Sequence, residues 1–187
     1  MRSGEWWRVH GLYVGGRTRE NSHPTFVAVA PESFYDGTDE FAPFGNDHGS
    51  DILGALEDWY TTGGQDDGVP QFLIDTLAGY GYSPSAHLWS ADSDAARAWA
   101  RAAGDDDHFV QSTAQTAVGV AVGQFKIRGH VTSAVRRIGW QAVTLQRTLL
   151  EDASTRYPHW AHADAAAEGI GDVVRVLSVA PSAPARA

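Results

Sequence analysis

Across residues 133 to 153, Val135, Ile138, Ala142, Leu145 and Leu149 recur alternately three and four residues apart. That period places all five on one face of a long α-helix, which Thr132 or Ser133 can cap. The stretch before it, residues 110 to 125, is dominated by Ala, Val, Gly and Thr. Its composition fits a strand or a buried helix; its length, beyond that of an ordinary strand, favours the helix. Shorter helices fit around this pair. Ile52, Leu53, Leu56, Trp59 and Tyr60 share a face over 50 to 61, with Ser50 as the cap and Asp51 in the first turn. Pro70 opens another helix, ended by Gly79, and Asp92 or Ser93 opens one over 93 to 103. Strands are expected at 5 to 14, in the short run 25 to 30 and at 172 to 179, with a short helix at 159 to 168. The expected fold class is therefore α-rich α+β: about five helices packed on a small sheet. Residues 1 to 179 are expected to form one globular domain, and 180 to 187 a disordered tail.

The chain has 23 acidic against 14 basic residues, a net charge of −9. That argues against nucleic acid, which needs clustered Lys and Arg, and against an anionic membrane surface. It permits a basic protein partner or a cationic small molecule. Cysteine is absent, which removes disulfides, thiolate catalysis and cysteine zinc sites together. The N-terminal residues lack an apolar signal core, and no apolar run reaches ~18 residues. A cytoplasmic location is expected. Lysine occurs once in the chain and the remaining basic residues are arginine; with abundant Ala and Gly this looks like high-GC, actinobacterial usage. Neither Gly-x-Gly-x-x-Gly, the Walker pattern nor Gly-x-Ser-x-Gly occurs, so no organic cofactor or serine nucleophile is expected. The calcium-loop and His-Glu-x-x-His patterns are also missing, and no metal is expected.

The most informative stretch for function runs from Asp36 to Asp51. From Asp39 onward it mixes Asp39, Glu40, Asp47, Asp51 and His48 with Phe41, Pro43 and Phe44. Solvated acidic loops rarely hold so many aromatics. Buried loops rarely hold so many charges, because an ionised group taken from water must be paired or hydrogen-bonded. The stretch is a ligand site or a hydrogen-bonded structural knot. As a site, paired carboxylates against aromatic walls can have one pKa raised and act as general acid or base. As a knot, Asp39, Asp47 and Asp51 bind loop amides and cap helices.

Asp36 to Asp51, with its Asp-Glu-Phe-Ala-Pro-Phe-Gly core at 39 to 45, resembles the signature of the bacterial YfeS-like proteins. His23-Pro24-Thr25-Phe26 and Gly123-Gln124-Phe125-Lys126-Ile127-Arg128-Gly129 are similar to that family's flanking blocks. The similarity spans about residues 22 to 153 and departs from the pattern at His48, where the family carries an acidic residue. The resemblance implies no catalytic assignment.

Asp39, Glu40, Asp47 and His48 are the candidate catalytic groups. Asp36, Phe41, Phe44, Asp51, Trp59, Lys126 and His23 are the candidate substrate contacts. Lys126 could anchor an anion or, as a last-turn cation before Gly129, stabilise a helix dipole. His23 is near enough in sequence to reach the acidic stretch, or is a structural histidine. His159, His162 and Asp164 have a spacing that can align three ligands, and equally suits a surface helix. Two functions follow. One is a small cofactor-independent enzyme acting on a polar metabolite by hydrolysis, elimination or ring closure, possible in specialised metabolism. The other is a non-catalytic acidic protein of immunity or accessory type that masks a basic partner. A homo- or hetero-oligomer subunit is a third option. An enzyme would gather its carboxylates in a concave pocket; a masking protein would spread them over a convex face.

Overall fold

The computed structural model describes residues 16–82, 92–103 and 107–183. The strand expected at 5 to 14, the Trp6-Trp7 pair and Trp89 lie outside them. Seven α-helices occur among the described residues: α1 (Pro24–Val27), α2 (Asp47–Thr61), α3 (Val69–Gly79), α4 (Ser93–Ala102), α5 (Asp107–Arg128), α6 (Ser133–Arg156) and α7 (Ala163–Val179). Two short 3-10 turns, Glu32–Tyr35 and Asp66–Gly68, join them. No helix among the described residues is long and apolar enough to cross a membrane.

Among the described residues the expected small sheet is not there. Among the described residues the β-structure is a single bridge between Val131 and Ser182. The architecture is all-helical, which corrects the α+β expectation. At 172 to 179, the valines suggest β-propensity, but Ala166, Val173, Val176, Leu177 and Ala180 are buried at helical spacing. Packing of that face outweighs a local preference worth fractions of a kcal/mol per residue. The run 25 to 30 is instead led by α1, where Pro24 opens the turn and the His23 side chain accepts from Thr25 N. The tail expected from 180 onward begins in the fold: Ala180 is buried, and Val131 N donates to Pro181 O at 2.9 Å.

α5 is the central element. Residues 116 to 127 are buried without interruption, nearly all of them apolar or glycine, with Thr116, Gln124 and Lys126 buried among them. α2, α6, α3, α7, α4 and α1 all pack on it. Its small residues set how near they come. A Cβ on Gly119 would lie 2.5 Å from Ile52 Cγ2, and one on Gly123 would lie 3.1 Å from Leu56 Cδ2. Glycine here lets α2 approach almost to backbone contact. α5 ends at Gly129, whose φ of +73° is the left-handed conformation suited to a helix stop. Phe125 projects from α5 onto Phe26, rings edge-on at 5.3 Å, and Phe34 joins them. Each such ring contributes about 1.5–3 kcal/mol on burial.

α6 fulfils the periodicity that predicts it. Val135, Ile138, Ala142 and Leu145 are buried, and Thr132 Oγ1 accepts from Val135 N at 3.3 Å.

Candidate functional site: a pocket beside the acidic loop

The segment 36 to 46 is a succession of turns closed by its own polar groups. Asp36 Oδ1 accepts from Thr38 N at 2.8 Å and Thr38 Oγ1 at 2.7 Å. Those bonds hold its carboxyl below the usual range. Asp39 Oδ1 accepts from Phe41 N at 3.1 Å, and Asp39 O from Ala42 N at 3.0 Å. Asn46, rather than Ser50, caps α2: its Oδ1 accepts from Gly49 N at 2.8 Å. Helix geometry therefore begins at Asp47, where a carboxylate suits the dipole. Phe44 is fully buried, and its carbonyl accepts from Arg17 Nη1 at 2.8 Å.

The candidate catalytic residues are not brought to one place. Glu40 is exposed and borders a cavity of about 160 Å³. Asp39 is spent in its turn. Asp47 is exposed on α2 and does not line that cavity. His48 packs against Tyr80 and Tyr82, ring centroids 5.9 and 6.3 Å away. Among the candidate contacts, Phe41 lines the cavity and meets Trp160 edge-on at 6.4 Å. Asp36 and Asp51 are exposed. Trp59 packs on Tyr60 and Phe72 and covers Gly64, so it shapes the loop after α2.

The cavity is enclosed by the acidic loop, α5, α6 and α7. Its walls are apolar: Phe41, Val118, Leu149, Trp160, Ile170 and Val173. Its polar groups are Glu40, Asn46 and three glutamines, Gln111, Gln115 and Gln146. Gln111 and Gln115 stand one turn apart on α5, and Gln146 comes from α6. They are the pocket residues that sequence reasoning missed. The available signal was the pair of amides at i and i+4, which break the apolar run of α5 on one side. The loop itself is clamped here, since a Cβ on Gly169 of α7 would lie 2.7 Å from Phe41 O.

Lys126 and His23 belong elsewhere. Lys126 is fully buried and donates from Nζ to Glu57 Oε1 at 3.2 Å and Asn21 O at 2.8 Å. Burial pushes its ammonium below the usual lysine value against the pull of Glu57. Glu57 Oε2 accepts from Gly16 N at 2.9 Å. Next to this pair, Tyr60 OH donates to Asp66 Oδ1 at 2.9 Å and accepts from Gln124 Nε2 at 3.1 Å. Burial, with Asp66 beside it, drives the Tyr60 phenol well above its ordinary value. His130 Nε2 is 2.8 Å from Asp66 Oδ2, and Arg128 Nε is 3.3 Å from Asp66 Oδ1. His23 N donates to Lys126 O at 2.7 Å, and its ring packs on Gly129. This is a polar knot between the ends of α2 and α5, its charges matched across the chain. Among the described residues no group of three His, Asp or Glu side chains is placed to hold a metal ion.

No family model, curated protein or solved structure matches the chain.

Proposed function

We propose that this protein binds a small, mostly apolar molecule bearing an amine or other hydrogen-bond donor, in the pocket between the acidic loop and α5–α7. The observation that carries this is the pocket's chemistry among the described residues: apolar walls, one carboxylate and four carboxamides, those of Asn46, Gln111, Gln115 and Gln146. Sites of that make-up use the walls for affinity and the few polar groups for orientation. A cavity of about 160 Å³ is close to the ~150 Å³ that takes a benzene ring. A single ring or short branched chain fills it, with the donor toward Glu40. The net charge of −9 favours a cation at the mouth.

Calorimetric titration with arylalkyl amines and their neutral alcohol analogues tests this. The amine is expected to bind more tightly than the alcohol. Glu40→Gln should remove that preference, weakening the amine about tenfold while leaving the alcohol unchanged. Ala153→Leu, which fills the wall, should weaken both. An acid–base enzyme is supported only as far as Glu40 can move a proton within this pocket. Loss of turnover in Glu40→Gln with amine binding intact would favour that version.

A masking role has one observation in its favour. Asp47, Asp51 and Asp58 are exposed along one side of α2, as a convex acidic face requires. Replacing all three by Asn should then abolish salt-sensitive binding to a polycationic peptide. Unchanged binding would dismiss it.

A further inference from the structure

A second concavity, of about 480 Å³, lies along α6 where α4 crosses it. Its lining has the opposite electrostatic character to the rest of the molecule. Arg136, Arg137 and Arg147 face it and, among the described residues, no carboxylate does, in a chain whose acidic residues outnumber its basic ones by 23 to 14. The three arginines are not equivalent. Arg136 is committed to the fold: it donates to Leu177 O at 2.6 Å, Ala180 O at 2.7 Å and Pro181 O at 3.1 Å, closing the end of α7. Arg137 and Arg147 are exposed and have no hydrogen-bond or ion-pair partner among the described residues.

Their spacing is informative. Arg137, Trp140, Thr144 and Arg147 follow one another at three- and four-residue steps, so they form one row along α6. The two guanidinium groups are rooted about 15 Å apart, ten residues at 1.5 Å each. The half-buried Trp140 indole and the Thr144 hydroxyl lie between them. Ser133, at the positive end of the α6 dipole, adds a donor beside Arg137. Two separated cations with a flat aromatic surface between them match an elongated ligand rather than a single compact anion.

We infer that this groove binds a small elongated dianion, with one anionic group on Arg137 and Ser133, the other on Arg147, and a planar middle against Trp140. Guanidinium groups grip carboxylate or phosphate in a fork, and an aromatic middle can stack on the indole. The ligand class is thus an aromatic or otherwise flat molecule with a carboxylate or phosphate at each end. This site is separate from the Glu40 pocket and does not depend on it.

The probe is para,para-biphenyl dicarboxylate, compared with the biphenyl monoacid, by calorimetry at low ionic strength. The diacid is expected to bind about tenfold more tightly than the monoacid, with affinity falling as salt is added. Arg137→Gln and Arg147→Gln should each reduce the diacid to the monoacid's level, and Glu40→Gln should leave both unchanged. Arg137→Lys and Arg147→Lys should lose less, because charge remains without the fork. Both arginines are exposed and without a partner among the described residues, so their variants should melt like the parent protein. A diacid that does not bind, binds no better than the monoacid, or is indifferent to both Gln replacements overturns the inference. So does a Trp140→Ala variant that binds the diacid at full strength.

Discussion

Lys126 has no exposed surface, and neither has nearly any of its partner Glu57. A charge so placed depends on its counter-charge. Lys126→Met is expected to destabilise by about 3–5 kcal/mol, because it takes the Lys126 charge away from the buried Glu57 carboxylate. The double variant Glu57→Gln, Lys126→Met should recover much of that loss in urea melts. Equal stability of the single and double variants would show that the pair is not coupled. Acid should act through two other groups. His23 is held below its ordinary value by burial and by the charges of His130 and Arg128. The unfolded chain therefore takes up its proton first, and stability falls as pH drops below about 6.5. Asp66 is pushed up by burial, yet the His130 hydrogen bond, the Arg128 charge and the Tyr60 hydroxyl hold it below its usual range. Its stabilisation is complete above about pH 3.9 and is lost as pH falls through its folded value. Melting midpoints from pH 8 to pH 2 should show both stages, and His23→Gln should remove the first. Such partnerships were only half legible in the sequence. A lone lysine between Phe125 and Ile127 hints at burial, and Glu57 shares its face with Leu53 and Tyr60. Nothing local pairs residues 69 positions apart.

At the level of elements, the contacts of α2 with the acidic loop and with α5 rest on missing side chains. A Cβ on Gly49 would run into the Pro43 carbonyl oxygen, and one on Gly119 into Ile52. Gly49→Ala is expected to cost about 1–3 kcal/mol or more, since backbone cannot shift as a side-chain tip can. Gly54→Ala, on the open side of the same helix where a Cβ meets nothing, should stabilise by about 0.4–1 kcal/mol. Thermal melts of the two variants should move in opposite directions; movement in the same direction would refute the close-contact account. The helices of the middle of the chain were readable from their period, Ile52, Leu53 and Leu56 on α2 and Val135 to Leu149 on α6; the cap expected for α6 is also the one found, whereas α2 is capped by Asn46 and not by Ser50. α7 was misread in part, because Val173, Val174 and Val176 suggest a strand. Its helical spacing appears only when the residues from Ala166 onward are taken together.

For the molecule as a whole, the acidic loop was found by sequence but its role was not. Asp36 and Asp39 close turns, Asn46 starts α2, and Asp47 and Asp51 face solvent. Of the loop's carboxylates Glu40 alone lines that cavity of about 160 Å³, and most of the remaining wall is supplied by α5, α6 and α7, more than sixty residues downstream. A pocket assembled from four segments has no signature in any one of them. The measurement that bears most directly on the proposed function is a nitrogen–proton correlation spectrum recorded while phenethylamine is added. Side-chain amide resonances of Gln111, Gln115 and Gln146 and the Trp160 indole resonance should shift together, saturating at one affinity, and in Glu40→Gln the same shifts should need about tenfold more amine. Unmoved glutamine amides, or an unchanged titration midpoint in Glu40→Gln, would contradict the assignment of this pocket as an amine-binding site.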